Sequence, residues 1–250
     1  MESLYIREIR IKEDIPKDNY LNDLPIIKSL IKNNGIKLNK PVTFFVGENG
    51  IGKSTLIEAI AVSFGFNPEG GSRNFNFSTY NSHSELFKHI TLVKGLSRAK
   101  DGYFLRAESF YNVSSNIEKM DSEPSFDDKV INAYGGVSLH KQSHGEGFLS
   151  LFQNRFRGNG LYILDEPEAA LSPFGIMRLM ANMNDLIKQN SQFIISTHSP
   201  MLISFPDADV YEITKDGIRL LPYTQTEHFR VTKDFLNNPE RSFRYLFEEE

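Results

Sequence analysis

Gly47-Glu48-Asn49-Gly50-Ile51-Gly52-Lys53-Ser54 matches the pattern G-x-x-x-x-G-K-[ST], and it constrains this chain more than any other feature. The run before it, Val42-Thr43-Phe44-Phe45-Val46, is β-branched and aromatic and too short for a helix, so it reads as a buried strand. After it, Leu56, Ile57, Ile60 and Ala61 recur at helical spacing, which predicts a helix over Lys53–Phe64. Strand, glycine loop and helix in that order form a cradle for phosphate. Gly47, Gly50 and Gly52 let successive N–H groups turn inward, and the helix adds its positive dipole end. Lys53 is expected to reach the β- and γ-phosphates, and the Ser54 hydroxyl to ligate Mg²⁺.

A second strand signal, Leu161–Leu164, ends in Asp165 and Glu166. Ligands of open parallel sheets gather at the carboxyl ends of strands. Asp165 is therefore expected beside the loop, holding Mg²⁺, and Glu166 is placed to polarise an attacking water. A solvated acidic turn before Pro167 is the plain alternative. A third strand, Phe193–Ile195, leads into Ser196-Thr197-His198-Ser199, where His198 could contact a terminal phosphate or position water.

Composition narrows the class. The chain has 250 residues, with 28 Lys+Arg against 32 Asp+Glu and a net charge of −4. That balance argues against a dedicated basic nucleic-acid module, although Arg155, Arg157, Arg230, Arg241 and Arg244 could form a local phosphate-binding surface. There is no cysteine, so neither a disulfide framework nor a thiolate metal site is available. No run of about 18 apolar residues suggests a transmembrane helix, and the mixed-charge start lacks a signal-peptide core. A cytoplasmic chain is expected.

The remaining segments predict a strand over 5–12, a short helix over 24–31 and a surface loop over 67–84. Strands over 89–93 and 103–107 are expected to pair across Lys100-Asp101-Gly102. Helices are expected over 109–120, 147–156, 174–189 and 235–247, a polar linker over 121–128, and a hairpin around Asp216-Gly217. Phe235, Leu236, Phe243, Leu246 and Phe247 read either as a docking face or as core.

Taken in order, these motifs resemble those of the ATP-binding cassette (ABC) ATPases, most closely the stand-alone predicted ATPases grouped with the head domains of chromosome-condensation and break-repair proteins. GENGIGKST, which includes Thr55, is similar to Walker A, and LYILDEPEAALSP contains a Walker B-like strand. Ala169–Pro173 resembles the D-loop and STHSP the switch-histidine loop. The resemblance implies one α/β P-loop domain over 1–250. Its parts would be a RecA-like, mostly parallel core sheet with flanking helices, an antiparallel β portion, a small helical lobe near 109–150, and a C-terminal hairpin and helix at 210–250.

Gln142-Ser143-His144-Gly145-Glu146-Gly147 stands where the family's LSGGQ signature would lie. By resemblance, Ser143, Gly145 and Glu146 complete an ATP site on a second subunit, so ATP would be sandwiched in a homodimer that moves an unidentified protein partner. The family's Gln-loop glutamine has no counterpart between Lys53 and His140. Glu108 is its positional substitute and could serve Mg²⁺, or is simply an exposed strand-end acid. Tyr5 and Tyr20 are the candidates for stacking on adenine. Alternatives are the nucleotide-binding subunit of a membrane transporter, a P-loop small-molecule kinase, or a nucleic-acid-stimulated ATPase.

Overall fold

A computed structural model describes residues 4–12, 15–73, 84–123 and 128–247. The strands are β1 (Ile6–Ile11), β2 (Ile36–Lys37), β3 (Val42–Gly47), β4 (Ile90–Lys94), β5 (Asp101–Arg106), β6 (Gly160–Asp165), β7 (Gln192–Ser196), β8 (Ala208–Thr214) and β9 (Gly217–Leu220). The α-helices are α1 (Pro25–Lys32), α2 (Lys53–Phe64), α3 (Leu86–His89), α4 (Phe110–Ser122), α5 (His144–Ser150), α6 (Pro173–Lys188), α7 (Glu227–Asn237) and α8 (Pro239–Phe247). A six-stranded sheet runs β5-β6-β7-β3-β8-β9, parallel except for the β8–β9 hairpin, and a three-stranded antiparallel sheet runs β2-β1-β4.

Every residue of β3, β6 and β7 is buried, because these central strands are covered on both faces. Alternate side chains serve two cores. Phe44, Tyr162, Leu164, Phe193 and Ile195 pack with residues of α4, α5 and α6 on one face. Phe45, Phe104, Leu161, Ile163 and Ile194 pack with α1, α2 and the three-stranded sheet on the other. The parallel register sets the chemistry, because it brings the ends of β3, β6 and β7 side by side.

Three expectations are corrected. The strands near 90 and 103 do not form a hairpin: β4 pairs with β1, and β5 pairs in parallel with β6. Asp101-Gly102 is therefore part of a strand and not a turn. A Cβ on Gly102 would lie 2.9 Å from the Leu161 carbonyl oxygen and 2.8 Å from the Phe66 ring, so glycine here allows close strand approach. Asp101 accepts hydrogen bonds from Arg155 (2.9 Å), the Arg157 N–H (3.0 Å) and the Tyr162 hydroxyl (2.8 Å). That use of Arg155 also removes it from the expected phosphate-binding surface. Asp101→Ala strands a largely buried guanidinium, so we expect a loss of about 3 kcal/mol in stability, read from a denaturant midpoint.

The expected closing helix over 235–247 is two helices. Pro239 has no N–H to continue the ladder, and Asn238 leaves the helical region at φ −149°, ψ 72°. Neither α7 nor α8 buries a residue fully, so the apolar side chains of 235–247 are not core. Tyr5 is the third correction. It is buried, and its hydroxyl donates to the Asn190 carbonyl (2.8 Å), so it cannot stack on adenine. Tyr20 is exposed, with its hydroxyl 2.9 Å from that of Ser84. Parts of the expected 67–84 loop and 121–128 linker lie outside the described residues. No described helix is long and apolar enough to cross a membrane.

Candidate functional site

The glycine loop leaves β3 through Gly47, whose φ of +146° and close approach to β8 both exclude a side chain; a Cβ would meet the Ile213 carbonyl oxygen at 2.3 Å. Glu48, Asn49 and Gly50 are exposed and Ile51 is buried as the loop's anchor. Gly52, at φ +101°, caps the start of α2, where Lys53, Ser54 and Thr55 form the first turn. Ile26 of α1 sits against Gly52, where a Cβ would lie 2.7 Å from its methyl.

Lys53 is buried, and its Nζ donates to the Gly47 and Glu48 carbonyls at 2.7 and 2.8 Å. Burial pushes its ammonium below the usual lysine value, opposed by the charges of Glu166, Asp165 and Glu168. A desolvated ammonium satisfied only by its own loop, with a helix N-terminus behind it, fits an incoming polyphosphate.

Asp165 ends β6 and is buried. Its Oδ1 accepts from Ser54 Oγ at 3.1 Å and from the Ser196 hydroxyl, while Arg106 Nε lies 3.6 Å from Oδ2. Burial pushes this carboxyl up, whereas Ser196, Arg106 and Ser54 pull it down. Arg106, at the end of β5, is also held by Glu58 Oε2 at 2.5 Å. Ser54 and Asp165 are hard oxygen donors at one spot, which suits Mg²⁺. Among the described residues no cluster of three or more His, Cys, Asp or Glu could hold a metal alone, so such an ion needs phosphate or water as further ligands.

Glu166 follows at φ +51°, ψ +52°, a left-handed conformation uncommon for a residue with a side chain. Its Oε1 lies 3.5 Å from His198 Nε2. The His198 N–H donates to Glu168 Oε1 at 2.5 Å, and its Nδ1 lies 3.1 Å from His228 Nε2. Burial and the Lys53 charge lower the His198 pKa, so the ring is neutral at pH 7. A cavity of 290 Å³ is lined by Ser54, Ala107, Glu108, Asp165, Glu166, Ala169 and Ala170. Glu108 thus faces the Ser54–Asp165 pair, with its side chain 89% exposed and Arg106 3.9 Å away.

Ser143, Gly145 and Glu146 are brought elsewhere. Ser143 caps α5 by accepting from the Glu146 N–H (3.3 Å), and the Glu146 carboxylate accepts from the Ser143 N–H (3.0 Å) and hydroxyl (2.7 Å). These bonds hold the Glu146 carboxyl below its usual value. Gly145 approaches the Ala170 carbonyl so closely that a Cβ would lie at 2.9 Å. None of the three lines the cavity at Ser54, although Gly145 packs on Ala170, which does.

Sequence reasoning passed over Arg106, Glu168, Ser196 and His228. Arg106 and Ser196 end strands beside the β6 strand of Asp165, a position that signals them once the pairing is known. His228 carries no sequence signal.

A family model described as an AAA domain matches residues 27–158, just over half of the chain. A second AAA-domain model, whose description also names the AbiEii toxin and a type IV toxin–antitoxin system, matches residues 138–204. The tungstate uptake system ATP-binding protein TupC of Campylobacter jejuni is 23% identical over 246 residues, covering 89% of this chain and 72% of that protein. An uncharacterized ABC transporter ATP-binding protein of Haemophilus influenzae is 27% identical over 174 residues, 64% of this chain and 65% of that one. Among solved structures, a nucleotide-free ATP-binding cassette from an ABC transporter aligns with a TM-score of 0.51 at 17% identity, over 98% of this chain and all of that one, a likeness of fold. The chain belongs to the AAA-domain P-loop family, and is similar within it to ATP-binding proteins of the ABC type.

Proposed function

We propose that this chain hydrolyses ATP as a switch, with each ATP held between the glycine loop of one copy and the Ser143–Glu146 cap of another. The observation that supports this most is that the Ser143 cap is not part of the lining of the cavity at Ser54. Lys53, Ser54, Asp165, Glu166 and His198 gather at one sheet edge, whereas Ser143 and Gly145 offer a helix start that does not line that cavity. Lys53 and the N–H groups of 47–55 would bind the phosphates. Ser54 and Asp165, with Glu108 in reach of the same cavity, would hold Mg²⁺, which supplies charge neutralisation at the β- and γ-phosphates. Glu166 would take the proton of the attacking water, and His198 Nε2 would hold the terminal phosphate.

In the single chain the Glu146 carboxylate occupies the Ser143 N–H and hydroxyl, so a partner's γ-phosphate would have to displace it. Closure is then driven by contacts present only while the γ-phosphate remains, and is lost after its release. Such a cycle would act on a protein partner in the cytoplasm.

The test is Ser143→Arg. We expect ATP turnover to fall about a hundredfold or more while ATP binding to the isolated chain stays within about twofold, because the cationic bulk blocks only the second half-site. Unchanged turnover would instead make each chain a complete enzyme, as a small-molecule kinase would be. A second reading, a transporter's nucleotide-binding subunit, is favoured by the match to the tungstate uptake ATP-binding protein. It predicts co-purification with an integral membrane subunit.

A further inference from the structure

We propose that His228, which lies outside every motif of the site, is a positioning residue that fixes the tautomer of His198 and aims its Nε2–H at the terminal phosphate. The inference rests on the reading of His198 as the phosphate-facing residue. His228 Nε2 lies 3.1 Å from His198 Nδ1, with the two ring centroids 5.1 Å apart. Where two imidazoles share one hydrogen bond, one donates and the other accepts.

The surroundings decide which. His198 Nε2 is 3.5 Å from a carboxylate oxygen of Glu166, a group that only accepts when ionised. A proton on His198 Nε2 therefore faces a negative charge at ion-pair distance, whereas a bare Nε2 would set its lone pair against that carboxylate and against any phosphate. With Nε2 protonated, Nδ1 is bare and accepts from His228 Nε2–H. His228 Nδ1 is then also bare; it and His198 Nε2 are both buried without a hydrogen-bond partner, so the Glu166 charge beside His198 Nε2 is what separates the two arrangements.

The fold holds His228 for this task. Glu212 of β8 accepts from the Glu227 N–H at 2.7 Å, filling the capping place at the start of α7. Thr226 is buried and donates to the Tyr223 carbonyl at 2.7 Å, and the Tyr223 and Phe229 rings meet edge-on with centroids 5.0 Å apart. His228 thus sits in a pinned first turn. It also lines a cavity with Gly47, Glu48 and Ile51 of the phosphate loop, so the first turn of α7 borders that loop.

Steady-state ATP turnover of His228→Phe, His228→Gln and His198→Ala tests the assignment. His228→Phe keeps the ring but has no donor, and we expect kcat to fall about tenfold with KM within about twofold. His228→Gln can donate from its amide at the same place and should return kcat to within about threefold of wild type. Nitrogen NMR of the imidazoles should show His198 protonated at Nε2 in the wild type, with that preference lost in His228→Phe. An unchanged kcat in His228→Phe, equal losses in Phe and Gln variants, or a His198 proton on Nδ1 would each overturn the inference. If His198→Ala is impaired and His228→Phe is not, this inference alone fails. If His198→Ala turns over ATP like wild type, the reading of His198 fails first and takes this one with it.

Discussion

Glu166→Gln should lower ATP turnover by about a thousandfold and leave ATP affinity within about threefold, since a general base contributes 10²–10⁴. The amide keeps the size and position of the carboxylate, and its oxygen can still face His198 Nε2, 3.5 Å away in the wild type. What it loses is the ability to take a proton from water. Asp165 cannot replace it, because it is buried and engaged by Ser54, Ser196 and Arg106. Glu108 lines the same cavity but its side chain is largely in solvent. Single-turnover hydrolysis with a parallel binding titration measures both quantities. Turnover within threefold of wild type would remove Glu166 from the chemistry.

Lys53→Ala should weaken nucleotide binding by about a hundredfold or more, because it removes charge-assisted hydrogen bonds each worth roughly 1.5–3 kcal/mol. The variant is still expected to fold. The wild-type ammonium is desolvated at a cost, and its partners in the free chain are the Gly47 and Glu48 carbonyls of its own loop. Losing both the charge and those bonds largely cancels in stability. Calorimetric titration with Mg·ATP, alongside thermal unfolding without nucleotide, separates the two effects. Unaltered affinity would place the phosphates away from the glycine loop.

Much of the site was legible because phosphate binding imposes local rules. Gly47, Gly52, Lys53 and Ser54 are spaced by the turn that they form, and their chemistry needs no distant partner. The β3, β6 and β7 strands were legible as apolar runs because central parallel strands are buried on both faces. Pairing is different in kind. Nothing in Ile90–Lys94 says that it joins β1 and not β5, since that choice rests on contacts far apart in the chain. Asp101-Gly102 misled because the same dipeptide serves a turn or, as here, a close strand approach with a carboxylate holding Arg155 and Tyr162. The break at Asn238-Pro239 was readable from proline alone. His228 was not, because its partner His198 lies thirty residues away and only the fold joins them.

The central claim is that ATP is shared between two copies, and the solution mass of Glu166→Gln with and without Mg·ATP tests it most directly. The variant should be a monomer without nucleotide and a dimer with it, returning to monomer when Ser143→Arg is added to the same chain. A monomer under both conditions, with ATP demonstrably bound, would contradict the shared site.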